Sequence, residues 1–157
     1  MATSIATLIQ DGMDQAKFKC PRLKTSQSKT MQRLFRPRLH LSACWLHGEA
    51  VYLYVSDEDC KKDSQAQLEQ LSRTLSDALA TVGDLPQGVA WQQDNTYREG
   101  KNQFTMAYAC LLVALGTFRH FTASYLRVGH SALIDIWKHV QNLIDLFFLL
   151  EVWHFNG

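Results

Sequence analysis

The longest apolar run of the chain reads MAYACLLVAL and covers residues 106–115. A second apolar stretch ends in LFFLL at residues 146–150. At helical spacing both stretches predict helices, and residues 127–130 between them are enough to reverse the chain. Two antiparallel helices on a short turn form an αα-hairpin, so the sequence predicts this motif over residues 102–155. The first of these helices is apolar on all sides, which is typical of a helix covered on every side.

The overall composition predicts one globular domain over residues 1–157. Apolar residues make up 46% of the chain and charged residues 20%, which is ordinary for a folded protein. We expect no membrane span, because the interrupted apolar run at 104–118 is shorter than the roughly 20 residues that cross a bilayer. No secretory signal is visible, and the four cysteines match no zinc or redox spacing. We therefore expect reduced thiols in an intracellular compartment, the cytoplasm or nucleus.

The first segment is expected to be a helix over Ser4–Phe18. Its apolar side chains recur at helical spacing along one side. They are Ile5, Leu8, Ile9, Met13 and Ala16.

A β-hairpin is predicted next, with strands at 39–46 and 50–56 joined by a two-residue turn at 47–48. Pairing about that turn places Cys44 opposite Val51. Both faces of the hairpin are then largely apolar, so cover is expected on each side.

The next segment has the signature of a helix beginning at Ser64. We expect Ser64 and Gln67 to form a capping box, and Gly83 to end the helix. A short third strand is possible at 88–92. The expected fold class is α+β: a small antiparallel sheet packed with about four helices, of which the last two are the αα-hairpin.

A basic segment occupies residues 17–38, and it contains no acidic residue. The rest of the chain carries more acidic than basic residues. The first interpretation is that the segment contacts a polyanion, with nucleic acid preferred. The alternatives are that it pairs with the protein's own acidic residues or binds an acidic protein partner. The predicted polyanion-binding residues are Lys17, Lys19, Arg22, Lys24, Lys29, Arg33, Arg36 and Arg38.

Catalytic motifs are weak in this sequence. Ser131 lies in GHSAL, which matches four positions of the G-x-S-x-G elbow without the strand that should precede it. His40 and Cys44 share a face of one predicted strand, but a structural zinc site needs four ligands. We predict no catalytic residue, metal or cofactor, and keep a small hydrolase using Ser131 or Cys44 with His40 as an alternative.

The apolar excess near the C-terminus predicts a protein interface. Sixteen of the 25 residues from 131 to 155 are apolar, and large aromatic patches seldom stay exposed on monomers. The predicted function is a non-enzymatic interaction protein, a small subunit or self-associating component of a larger assembly, with a protein-only adaptor as the alternative. The predicted interface residues are Trp137, Leu146, Phe147, Leu150, Trp153 and Phe155.

Overall fold

The structure is a computed structural model that describes residues 4–13, 33, 39–57, 59–94 and 101–126. These parts form five strands and two helices. In chain order they are β1 (Ile5–Gly12), β2 (His40–Leu46), β3 (Ala50–Ser56), α1 (Ser64–Val82), β4 (Gly88–Gln93), α2 (Gln103–Ala114) and β5 (His120–Tyr125).

The five strands form one mixed sheet in the order β3-β2-β1-β4-β5. β1 pairs antiparallel with β2, and β2 antiparallel with β3. On its other side β1 pairs parallel with β4, and β4 pairs parallel with β5. The expected fold class was therefore wrong: the sheet is five-stranded and mixed, and only two helices lie in the described part of the chain. The possible third strand at 88–92 is β4, but its partners are parallel.

The central strand β1 occupies the segment that was expected to be a helix. Leu8 is fully buried and Gln10 is 1% exposed, because neighbouring strands lie on both sides and α1 packs on one face. The opposite face is less covered, because Thr7 is exposed and Ile9 is half-buried. The apolar residues Ile5, Leu8 and Ile9 do not alternate along β1, so their spacing fits a helix of period 3.6 and periodicity alone did not identify the strand.

The predicted αα-hairpin is also wrong. α2 ends at Ala114, and Gly116 then adopts a φ of +74°, a left-handed conformation that glycine reaches without steric cost. The chain continues through the buried Phe118 into β5, so a strand follows α2 where a helix was expected. Residues 131–155, the predicted second helix, lie outside the described residues. α2 is not covered on every side either, because Thr105 is its one buried residue.

β2 and β3 form the predicted hairpin, but its turn has three residues, 47–49, rather than two. Gly48 has a φ of +85° in this turn. The extra residue shifts the register by one, so Cys44 pairs with Tyr52 and not with Val51. A shift of one residue moves every side chain of a strand to the opposite face. Tyr52 therefore lies on the face that α1 covers.

The predicted capping box makes Ser64 the N-cap of α1, but α1 begins one residue earlier. Its N-cap is Asp63, whose carboxylate accepts hydrogen bonds from the backbone N–H groups of Gln65 and Ala66. Gly83 ends the helix with a φ of +83°, as predicted. Between these caps Leu71 and Leu75 enter the main core cluster with Leu8, Cys44, Val89, Trp91 and Phe118.

A close contact between β4 and β5 gives a stability prediction. Gly88 pairs with His120, and a Cβ added at Gly88 would lie about 2.1 Å from Nε2 of the His120 ring. We expect Gly88→Ala to lower the free energy of unfolding by about 1–3 kcal/mol, the usual cost of overpacking, in urea denaturation. The double variant Gly88→Ala/His120→Ala removes the obstructing ring and is the control. Equal destabilisation of the single and double variants would contradict this explanation.

Candidate functional site

Two aspartates occupy neighbouring positions at the end of the sheet where the parallel strands β1 and β4 finish. Gln10 pairs with Gln93, so Asp11 and Asp94 occupy the next position on each strand. Neighbouring strands lie about 4.8 Å apart, which sets the spacing of the two backbones here. Gln10 points toward α1, where its Nε2 donates to the backbone oxygen of Gln67 (3.2 Å). Because side chains alternate along a strand, Asp11 and Asp94 belong to the opposite face.

This pair has the chemistry of a divalent-cation site. Asp11 is half-buried and Asp94 is exposed, so both are reachable from solvent at the end of the sheet. One oxygen of Asp11 accepts the backbone N–H of Gly12 at 2.9 Å, which orients the carboxylate. Mg²⁺ is commonly held by one or two carboxylates together with water and substrate phosphates. In open α/β sheets, ligands bind outside the carboxyl ends of parallel strands, which is where these side chains lie.

The basic segment is connected to this same edge at both of its ends. β1 stops at Gly12 and β2 starts at His40, and the two strands are antiparallel neighbours. The backbone N–H of Met13 still donates to Leu41 at 2.8 Å, just before the chain leaves the sheet. All eight cations of residues 17–38 lie between these two anchors in the sequence.

Seven of the eight predicted polyanion-binding residues lie outside the described residues. Arg33 is described, and it is exposed. The other seven are Lys17, Lys19, Arg22, Lys24, Lys29, Arg36 and Arg38.

A small polar cleft lies beside Asp11, between the ends of β1 and β3 and the start of β2 and α1. Its volume is about 40 Å³. Gln10 forms part of its wall and donates through Nε2 to Oε1 of Gln70 at 3.0 Å. Oε1 of Gln67, also on the wall, is buried and has no hydrogen-bond partner among the described residues. The charged and titratable residues of the lining are Asp11, His40, Cys60, Lys61, Lys62 and Asp63.

The structure separates the predicted cysteine–histidine pair. Cys44 and His40 share a face of β2, but four residues of strand place them about 13 Å apart along the sheet. Cys44 is fully buried, and this burial raises the pKa of its thiol to about 12. A thiol with that pKa is almost entirely protonated at neutral pH, and the thiolate is the nucleophile. Cys44 is therefore a core residue.

The remaining predicted site residues are not described. They are Ser131 of the hydrolase alternative and the interface residues Trp137, Leu146, Phe147, Leu150, Trp153 and Phe155. These assignments stay predictions.

Sequence analysis missed the aspartate pair because its members lie 83 positions apart and the first was assigned to a helix. One signal was present: Asp11 follows IATLIQ and Asp94 follows GVAWQQ, and these stretches form the strands β1 and β4 inside the sheet. No group of three or more metal-ligating side chains occurs among the described residues. The described part of the chain also contains no helix long and apolar enough to cross a membrane.

Comparison with known families gives one match. The family described as Domain of unknown function (DUF7869) matches residues 27–138, more than two thirds of the chain. The chain belongs to this family. No curated protein and no solved structure matches it. In this DUF7869 chain Asp94 lies inside the matched region, whereas Asp11 and the rest of β1 precede it.

Proposed function

We propose that this DUF7869 protein binds nucleic acid at the end of the sheet where β1 and β4 finish, and that it cleaves phosphodiester bonds there with a divalent cation. The register of β1 against β4, which sets Asp11 beside Asp94, is the observation that carries the proposal. The basic segment supports it independently, because eight cations without an acid in residues 17–38 attract a phosphate backbone and the segment leaves and rejoins the sheet at this end.

The aspartate pair and the basic segment have separate roles in this proposal. Asp11 and Asp94 would hold the cation, which would polarise a phosphoryl oxygen and lower the pKa of a bound water so that it can act as a nucleophile near neutral pH. In hydrolysis of the phosphodiester the water oxygen would bond to phosphorus, and its proton would pass to the leaving oxygen as the bond from phosphorus to that oxygen breaks. The basic segment holds the strand in place through contacts that are independent of sequence.

This proposal departs from the prediction of a non-enzymatic interaction protein, which stays untested. It keeps the predicted contact between residues 17–38 and nucleic acid. The departure rests on a pair of residues that becomes visible only when β1 is placed as a strand beside β4. Binding of an acidic protein by the basic segment is an alternative outcome of the experiment below.

We expect broad, salt-sensitive binding to DNA and RNA, together with cleavage that requires Mg²⁺ or Mn²⁺. In the variant with Lys24, Lys29, Arg33 and Arg36 changed to glutamine, each lost phosphate contact should lower the salt slope of binding by about one unit. Fluorescence anisotropy over a salt series measures the slope, and gel analysis of labelled oligonucleotides with and without EDTA measures cleavage. Absence of binding by the wild type at low salt would rule out this function and favour a self-paired segment or an acidic protein partner.

A second candidate function, association with a protein partner or a second copy, is supported by the surface of α2. Several of its large apolar side chains are exposed, and exposed apolar surface of this kind marks interaction sites when it is contiguous. The predicted C-terminal interface follows α2 and β5 in the sequence. The exposed residues are Phe104, Met106, Leu111, Val113 and Leu115.

Introducing charge on this patch should dissociate an assembly. Leu111 is 50% exposed and Leu115 is 70% exposed, so lysine at both positions adds charge without emptying the core. We expect the Leu111→Lys/Leu115→Lys variant to have a lower mass than the wild type by size-exclusion chromatography with light scattering. Val82→Lys is the matched control, because Val82 is 55% exposed at the end of α1. A wild type that is monomeric at high concentration would contradict this function.

We also propose that the protein resides in a reducing intracellular compartment, the cytoplasm or nucleus. Cys44, Cys60 and Cys110 are free thiols in the structure, and persistent free thiols are typical of such compartments.

A further inference from the structure

Lys62 crosses directly over the backbone at the end of β1. A Cβ built on Gly12 would lie about 2.6 Å from Nζ of Lys62 and 2.9 Å from its Cε. A larger residue at position 12 would therefore require the lysine head to move. Asp11, which precedes Gly12 in β1, and Lys62 both line the cleft described above.

The cleft beneath this lysine suits the oxygens of a phosphate group. Its volume of about 40 Å³ exceeds the 10–15 Å³ that one water requires. The hydroxyl groups of Ser42 and Ser56 belong to its lining and can donate hydrogen bonds to an anion. Two lysines and two aspartates also line it, so with neutral histidine its formal charge is zero and it does not repel an anion overall.

We infer that this cleft binds one phosphate group of the nucleic-acid strand, adjacent to the phosphate at the aspartate pair, and that Lys62 is the cation that contacts it. The inference rests on the proposed function and adds a second phosphate position to it. An ammonium group contacts phosphate as a point charge and does not read sequence. Lys62 is half-buried on the cleft wall, whereas Arg119 is exposed just before β5 and does not line the cleft, so the two positions allow a comparison.

The test is a comparison of Lys62→Gln with Arg119→Gln, since each variant loses one positive charge and Arg119 lies at the other end of the sheet. Binding of a fluorescent single-stranded DNA and of its RNA equivalent is measured by anisotropy in EDTA, between about 50 and 200 mM salt. For Lys62→Gln we expect the slope of log K against log salt to fall by about one unit. For Arg119→Gln we expect less than half that change. Lys62→Arg should retain the wild-type slope.

Thermal unfolding of each variant checks that the fold is retained. Equal slopes for Lys62→Gln and Arg119→Gln, with normal binding by the wild type, would overturn the role of Lys62 and leave the proposed function standing. Absence of binding by the wild type would overturn both.

Discussion

Replacing Asp11 or Asp94 by asparagine is expected to lower the rate of cation-dependent cleavage at least about 100-fold, which corresponds to roughly 3 kcal/mol in the activation barrier. Asparagine keeps the size of the side chain but removes the negative charge that holds the cation. A single substitution leaves one carboxylate, and Mg²⁺ binds such sites weakly because it gives up its waters reluctantly. The measurement is the initial rate of oligonucleotide cleavage at one fixed Mg²⁺ concentration, the lowest that saturates the wild type.

The control for this prediction is Asp84→Asn. Asp84 is exposed in the connection between α1 and β4, at the other end of the sheet, and its replacement removes the same charge. We expect it to cleave at the wild-type rate. Binding measured in EDTA separates a role in cleavage from a role in binding. The Asp11 and Asp94 variants should bind the oligonucleotide at least as tightly as the wild type, because they carry less negative charge. Wild-type cleavage by both variants would show that the pair holds no catalytic cation.

Trp91→Ala is expected to lower the free energy of unfolding by about 3–5 kcal/mol, a large part of the 5–15 kcal/mol typical of a domain. Trp91 is fully buried in the centre of β4 and packs edge-to-face on Phe121 with ring centroids 6.0 Å apart. Its Nε1 donates to Oε1 of the buried Gln10 at 3.2 Å. Alanine leaves a cavity and also deprives this oxygen of its donor.

The same substitution at Trp45 is the matched control. Trp45 lies on β2, is only half-buried, and contacts the ring of His47 at 5.1 Å between centroids. We expect Trp45→Ala to cost much less than Trp91→Ala in urea denaturation at constant m-value. Similar losses for the two variants would show that the core is not centred on β4.

The elements that could be predicted from sequence are those whose signals are local. The glycine that ends α1, Gly83, and the apolar stripe before it identify the helix without tertiary information. The β2–β3 hairpin is likewise visible from alternation and a turn. The register of the hairpin could not be predicted, because Gly48 suits a two-residue turn as well as a three-residue turn. The structure has the three-residue turn.

The elements that could not be predicted depend on distant partners. β1 is a strand because β2 and β4 hydrogen-bond to both of its edges, and no residue within β1 encodes those contacts. The aspartate pair has the same origin, since the pairing of Gln10 with Gln93 creates it. The helical hairpin was predicted from two apolar stretches, but tertiary pairing places His120–Tyr125 in the sheet beside β4.

The central position of β1 affects how the protein folds and which fragments of the chain can form the sheet. β1 is the only strand that joins the antiparallel pair β2–β3 to the parallel pair β4–β5 in the described sheet. Its contact with β4 closes a loop of about 80 residues, and contacts so distant in sequence slow folding. The family match begins after β1, at residue 27. A fragment limited to residues 27–138 would therefore contain two separate strand pairs with unpaired inner edges, which favours aggregation, and adding residues 1–12 as a separate peptide should restore one continuous sheet.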